Sequence, residues 1–382
     1  MKDGKIVVLQ ALGGLTCGGA ESRVMDITRR LDSTDIKYDF LLHDKGPDFY
    51  EDEAGSFGAN IYRVPAFRIV NYFAYIKALN KLFSEHPEID IVQGHITSSA
   101  AIYLPIAKKH GVKVTIAHGR SAGVDKGLKG FLTRVLRKNL YKRCDLMWAC
   151  SKEAGESVYG KERQDSGKVR VIPNAIDVDK FANGYDESEV ARLKAEYKLG
   201  DKFVVGHVGS FRYAKNHEFL LQIFAKLLKT KSDAVLLLVG DGSRRQEMEE
   251  LAGSLGIKDK VIFAGNHNDV YNYYKLMNLI IFPSRYEGLP GTIVEAQASG
   301  VPSLISTAIT DSVGVTSLVR FLGLDESADK WAEDALLLYD SVQKAKIEEG
   351  WEAPAELLKA AGFDVNSQVV MLEKLYKDMV KG

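Results

Sequence analysis

Apolar positions along this chain fall into short β-rich runs separated by longer stretches with helical spacing. Lys5 to Ala11, Tyr38 to Leu42, Ile61 to Val64, Ile89 to Gln93, Val112 to Ala117, Leu146 to Ala149 and Val169 to Ile172 read as buried strands. Between most of them, stretches such as Ala20 to Leu31, Tyr72 to Phe83 and Ser99 to His110 repeat apolar residues at the helical period. Parallel strands need a long crossover, which a helix supplies, so the alternation predicts a parallel sheet wrapped by helices. The pattern pauses near Pro173-Asn174-Ala175-Ile176-Asp177, passes through a charged helical stretch to about Leu199, and restarts. Lys202 to Val208, Ala234 to Val239, Lys260 to Ala264, Asn278 to Pro283 and Val301 to Ile305 are the strands of the second block. The expected fold is therefore α/β, with two doubly wound domains at 1–180 and 181–365 and a last helix within 366–382. Ligands of such sheets bind at the carboxyl ends of the strands, which puts the expected site in a cleft between the two domains.

Composition narrows the class of function. With 382 residues, 46% of them hydrophobic and 27% charged, the chain is too apolar for disorder and long enough to bury a full core. Lys+Arg and Asp+Glu both number 51, which argues against a grip on nucleic acid through overall charge. No apolar run reaches the ~18 residues of a membrane span, and the first apolar run, Ile6 to Leu9, is too short for a signal peptide. Cys17, Cys144 and Cys150 are an odd number without metal-ligand spacing, so a reduced, cytoplasmic chain with no metal is expected.

Candidate chemistry is densest in the second block. Phe282 to Ala296 runs from a strand end through a Gly/Pro loop into a helix that begins near Gly291. The open N–H groups of such a helix start favour an anion, and Gly288 and Gly291 allow close approach of a phosphate. Glu287 in the loop and Glu295 one turn into the helix can flank a diphosphate and accept hydrogen bonds from hydroxyl groups. Taken singly, each reads equally well as a solvated surface charge. Arg212 and Lys215 precede a helix from about Asn216, its expected N-cap, where two cations can neutralise a diphosphate leaving group. Alone, they read as surface cations. Gly240-Asp241-Gly242 closes a strand as a turn and is expected to carry no chemistry beyond shaping the cleft.

In the first block, Gly13-Gly14-Leu15-Thr16-Cys17-Gly18-Gly19 lies between the first strand and the first helix, but its glycines do not make a G-x-G-x-x-G fingerprint. Gly18 and Gly19 still permit close approach of a ligand. His95 and His118 each follow an expected strand and should emerge at its carboxyl edge, with Arg120 in the same loop. His95 and Arg120 are candidates on the acceptor side. Lys126, Lys129, Arg134, Arg137, Lys138, Lys142 and Arg143 lie in an acid-free stretch, 126–143, with Phe131, Leu132, Val135, Leu136 and Leu140 at helical spacing. That is either a peripheral contact with the inner face of a membrane or a core-packed helix with a solvated basic face.

With these residues in view, the chain resembles the retaining GT-B glycosyltransferases of family GT4, bacterial exopolysaccharide and capsule transferases above all. The resemblance covers nearly the whole length and rests on Gly18-Gly19-Ala20-Glu21, Ile116-Ala117-His118, Ile172 to Asp177, Lys215-Asn216-His217 and Gly240-Asp241-Gly242. Its most specific part is Glu287-Gly288-Leu289-Pro290 through Glu295-Ala296, similar to the family's E-x7-E signature. The resemblance implies two facing Rossmann-like domains with a central cleft. A nucleotide-sugar, most often a UDP-sugar, would bind the second domain and a saccharide or lipid-linked saccharide acceptor the first. It implies that Glu295 holds the ribose, Glu287 the donor sugar and Lys215 the diphosphate, with backbone contacts from Gly288, Leu289 and Pro290. His118 would lie near the reacting sugar and Gly18-Gly19 by the diphosphate. The last helix would cross back to the first domain, and transfer of a hexose-type sugar would retain configuration and need no metal or other cofactor. One position departs: the family's G-R-x-x-x-x-K pattern has arginine where this chain has Ser210, leaving Arg212 as the replacement cation. A nucleotide-sugar epimerase on the same fold and a non-catalytic donor-binding subunit are the alternatives, the latter suggested by Ser210.

Overall fold

The computed structural model describes residues 4–16, 18–32, 34–120, 123, 127–347 and 353–381, with backbone alone for 127–129. Cys17 and Lys126 lie outside the described residues. The chain divides into two compact units, Met1–Ala175 together with Val365–Gly382, and Ile176–Asp364.

In the first unit the strands are β1 (Ile6–Leu12), β2 (Ile36–Leu42), β3 (Ile61–Arg63), β4 (Ile89–Gly94), β5 (Val114–Gly119), β6 (Leu146–Ala149) and β7 (Val169–Val171). They form a parallel sheet in the order β3-β2-β1-β4-β5-β6-β7, so the direction of winding reverses between β1 and β4. Every residue of β1 is buried, as expected of a strand covered on both faces. One face packs against the helix Val365–Lys381, whose Val365, Val369, Leu372 and Tyr376 form an apolar stripe over Val8, Ile91, Ile116 and Trp148. Burying a side chain of this size contributes roughly 1.5–3 kcal/mol, so the stripe is enough to seat the helix.

The second unit contains β8 (Val204–Val208), β9 (Val235–Val239), β10 (Val261–Gly265), β11 (Leu279–Phe282), β12 (Ser303–Ser306) and β13 (Val319–Leu322), in the parallel order β10-β9-β8-β11-β12-β13. Its winding reverses between β8 and β11. The helix His217–Leu227 lays Leu220, Leu221, Phe224 and Leu227 on the sheet, and Trp331 fills the same core. β13 is absent from the sequence pattern: it is a half-buried edge strand interrupted by Arg320, and its pairing to β12 is what makes it a strand.

The Gly240-Asp241-Gly242 turn has a structural role. Gly209 N–H donates to Val239 O at 2.9 Å, Phe211 N–H to Asp241 O at 3.0 Å, and Arg244 N–H to Phe211 O at 3.1 Å. The turn thus braces the loop that follows β8, and a Cβ on Gly242 would sit 2.7 Å from the backbone N and O of Phe211. Gly242→Ala is expected to cost about 1–3 kcal/mol through this overlap, read as a lower urea midpoint.

Five of the eight histidines, His43, His95, His118, His207 and His217, are buried. Burial disfavours the imidazolium, pushing His43 down to about 4 and His207 to about 3, and holding His95 and His118 well below their ordinary value. Below pH about 6.5 the unfolded chain takes up protons that the folded chain refuses, so stability is full at pH 7 and falls as the pH drops toward 4. Each histidine can contribute up to ~1.4 kcal/mol per pH unit to that loss. Urea midpoints measured at pH 7, 6 and 5 should decline steadily; a constant midpoint would show that these rings protonate freely in the folded chain.

Candidate functional site

Where strand order reverses in a parallel sheet, the loops leaving the two central strands turn to opposite faces and open a crevice at their carboxyl ends. In the second unit these are the loops after β8 and β11. They are tied together by three hydrogen bonds: Arg285 N–H to Ala214 O at 2.7 Å, Asn216 Nδ2 to Pro283 O at 3.0 Å, and Arg285 Nη1 to Tyr213 O at 2.6 Å. Behind them Glu218 accepts from Arg285 Nη2 at 2.6 Å and from Arg244 Nη1 at 3.1 Å. Asn216 precedes the helix His217–Leu227 as expected, but it does not cap it. Its backbone is left-handed, φ 57°, and its side chain is spent on Pro283 instead.

This stitching brings Lys215 and Glu287 together, with Nζ to Oε1 at 2.8 Å and both side chains 16% exposed. The Lys215 ammonium also lies 4.6 Å from the centre of the Phe282 ring, a cation–π contact at the end of β11. Gly288, Leu289 and Pro290 are buried and lead into the helix Gly291–Ala298. Glu295, 7% exposed, stands on that helix, where Tyr274 Oη donates to its Oε2 at 2.9 Å. Arg212 is exposed and makes no side-chain hydrogen bond or ion pair among the described residues. Three buried polar atoms on the same strand and loops have no hydrogen-bond partner among the described residues: His207 Nε2, Asn216 Oδ1 and Ser284 Oγ. His207 donates through Nδ1 to Ile281 O at 3.0 Å, which leaves Nε2 a bare acceptor beneath Gly209. Each such orphan costs about 1–3 kcal/mol; His207 Nε2 and Asn216 Oδ1 are acceptors that suit a ligand with hydroxyl or N–H donors, while the Lys215 ammonium beside them suits an anionic group.

In the first unit the carboxyl ends of β1, β4 and β5 carry a second polar cluster. His95 follows β4 and is satisfied on both nitrogens: Nδ1 accepts from Arg120 Nε at 3.1 Å, and Nε2 bonds Gln10 Oε1 at 2.8 Å. Arg120 also donates to Asn174 Oδ1 at 2.6 Å. His118 is not at an exposed edge. β5 runs two residues further than the apolar pattern indicates, pairing His118 with Trp148 and Gly119 with Ala149, and His118 is fully buried. Its Nδ1 meets Gln93 Nε2 at 2.9 Å. Burial, then the nearby Arg120 charge, keep both histidines neutral. Gly18 precedes the helix Gly19–Thr28 with its backbone extended, the Glu21 carboxylate lies against it, and open space surrounds the Cβ position of Gly19. The loop before it is anchored by Leu15 N–H donating to Asp48 Oδ2 at 2.8 Å.

Sequence reasoning missed Tyr274, Phe282, Gln10, Gln93 and Tyr376. Tyr274, Phe282 and Tyr376 meet their partners only through the fold and leave no spacing signal. Gln10 and Gln93 do leave one, since each is a polar residue that follows a buried apolar run near the carboxyl end of its strand.

Two family models match the chain, "Glycosyltransferase Family 4" over residues 17–180 and "Glycosyl transferases group 1" over 190–339. A glycosyltransferase of Bacillus subtilis (strain 168), EpsF, is 31% identical over 376 residues, 97% of this chain and 96% of that one. The Escherichia coli UDP-Gal:alpha-D-GlcNAc-diphosphoundecaprenol alpha-1,3-galactosyltransferase is 24% identical over 63% of this chain and 64% of its own. Among solved structures, Anabaena HepE in complex with UDP and glucose superposes with a TM-score of 0.78 at 18% identity, covering 98% of this chain and all of that one. Matched in both halves by these models and along almost its whole length by a relative of 31% identity, the chain belongs to the group 1, family 4 glycosyltransferases and has their GT-B fold of two Rossmann-like units.

Proposed function

We propose that this glycosyltransferase moves a hexose-type sugar from UDP to a saccharide or lipid-linked saccharide acceptor, with retention of configuration, in polysaccharide biosynthesis. The observation that carries this reading is the Lys215–Glu287 pair at the β8/β11 reversal, beside the helix that bears Glu295. Lys215, with Arg212 in the place left by Ser210, supplies positive charge for a diphosphate. Glu287 accepts from donor-sugar hydroxyls and Glu295 from ribose hydroxyls, Tyr274 fixing the latter carboxylate. Backbone groups of Gly288, Leu289 and Pro290 line the same loop, and Gly18 and Gly19 allow close approach of the diphosphate. His118 serves the reacting sugar, while His95 and Arg120 shape the acceptor side. The bound complexes of HepE with UDP and with UDP-glucose support the choice of nucleotide.

In the step proposed, the bond from C1 of the sugar to the β-phosphate oxygen breaks, and its electron pair leaves on the phosphate. The acceptor oxygen bonds C1 from the same face, and its proton passes to that phosphate oxygen. No group on the protein need take the proton. Protein cations stabilise the leaving charge, so turnover is expected without a metal.

A peripheral contact with an anionic membrane is proposed as well, on a corrected face. The helix spans Gly127–Arg137, and Arg137 turns inward, Nε donating to Thr97 Oγ1 at 2.8 Å. Phe131, Arg134, Val135 and Lys138 are exposed at i, i+3, i+4 and i+7, two apolar and two cationic on one face, and Lys142 and Arg143 beyond the helix are exposed as well. Among the described residues no helix is long and apolar enough to cross a membrane. Arg134→Glu with Lys138→Glu is expected to abolish sedimentation with vesicles containing anionic lipid; unchanged sedimentation would make this a solvated face.

Thermal shift and nucleotide release across UDP-, GDP-, ADP- and TDP-sugars, with and without EDTA, test the main reading. A UDP-sugar should stabilise the protein and release UDP slowly and insensitively to EDTA. Stabilisation by no donor would overturn the reading, and binding without turnover in the presence of acceptors would mark a non-catalytic subunit. Lys215→Ala and Glu287→Gln should each lower turnover by about 10²–10³-fold with the fold intact by circular dichroism.

A further inference from the structure

We propose that a buried chain of hydrogen bonds, Tyr38 to Tyr376 to Gln93, holds His118 in the tautomer that keeps its proton on Nε2, which makes Gln93 and Tyr376 positioning residues for the sugar contact of His118. The inference rests on the proposed sugar transfer for its catalytic consequence, but the tautomer itself is a property of the unliganded protein.

The direction of the chain follows from its donors and acceptors. Tyr376 Oη donates to Gln93 Oε1 at 2.6 Å, and Tyr38 Oη lies 3.0 Å from Tyr376 Oη. Tyr376 has one proton and spends it on Gln93, so Tyr38 is the donor to Tyr376. With Oε1 occupied as acceptor, the Gln93 amide presents its NH₂ to His118 Nδ1, at 2.9 Å. A neutral imidazole that accepts at Nδ1 carries its proton at Nε2. That Nε2 is buried and has no hydrogen-bond partner among the described residues.

His95 provides the contrast. Its ring centre lies 5.3 Å from that of His118, and it too accepts at Nδ1, but its Nε2 proton is already given to Gln10. Of the two rings, only His118 keeps a donor to offer. Reversal of the chain would need the Gln93 amide to turn over and both tyrosine hydroxyls to exchange roles, and it would leave Nε2 a bare acceptor. The layer has little slack for this. The cavity beside Gln93, His118, Arg120 and Tyr376 measures about 10 Å³, room for one water at most. Tyr376 reaches this layer because the helix Val365–Lys381 is seated by Val369 and Leu372 on the core of the first unit.

The test uses the full chain labelled with ¹⁵N-histidine, at pH 8.5 and without ligand. The wild type should show His118 protonated at Nε2. Gln93→Glu keeps the shape of the side chain but offers only acceptors, so the His118 proton should move to Nδ1. Its kcat for the UDP-sugar turned over fastest in the donor panel should fall at least tenfold, while the Kd for UDP stays near wild type and circular dichroism shows the fold intact. Tyr376→Phe, which frees the Gln93 amide to turn, should give a mixture of tautomers and a smaller loss of kcat. A wild-type proton on Nδ1, an unprotonated Nδ1 in Gln93→Glu, or a shifted proton with kcat unchanged would each overturn the proposal. Failure of the donor reading is distinguished by a wild type that turns over no nucleotide-sugar, a result independent of the ¹⁵N spectrum.

Discussion

Lys215 and Glu287 belong to loops far apart in sequence, and they meet because β8 and β11 are neighbours at the point where the second sheet reverses its winding. Everything else at that site depends on this juxtaposition. Phe282 ends β11 and so lies under the ammonium, and Asn216 can reach Pro283 only because the two loops run side by side. Gly240 and Gly242 leave room for the first of those loops to lie against the next turn. A parallel order that reverses once concentrates polar loop residues at one edge of an otherwise apolar layer, which is why the orphaned His207, Asn216 and Ser284 atoms gather there.

The first unit uses the same architecture with different chemistry. Its reversal, between β1 and β4, brings Gln10 and Gln93 side by side near the carboxyl ends of their strands, and each hydrogen-bonds a neutral histidine, Gln10 to His95 and Gln93 to His118. Burial keeps these rings uncharged through the range in which free histidine titrates, so they act as hydrogen-bonding groups of fixed polarity. The same burial makes the fold acid-sensitive. The polar layer that orients His118 and the stability lost below neutral pH have one physical cause.

Motifs and pattern were legible from the chain alone where the physics is local. Alternating strands and helices, the break after Ile172, the Gly/Pro loop before Gly291 and the two carboxylates Glu287 and Glu295 all follow from short-range spacing. Three local inferences changed once the fold was seen. Asn216 looks like a cap but is recruited by Pro283, and His118 looks like an edge residue but is paired into β5. Arg137 looks like part of a basic face but turns in to Thr97. In each case a partner distant in sequence offered a better hydrogen bond or pairing than the local one.

The sequence by itself determined the α/β class, the two-block organisation and the residue types gathered near the strand ends, because hydrophobic period and loop chemistry are properties of neighbouring residues. Only the tertiary structure decided which of those residues touch: Lys215 with Glu287, Tyr274 with Glu295, and Tyr376 with Gln93 and through it His118. These pairings depend on strand order and helix docking. Those are set by burial summed over whole elements, and no spacing along the chain encodes them.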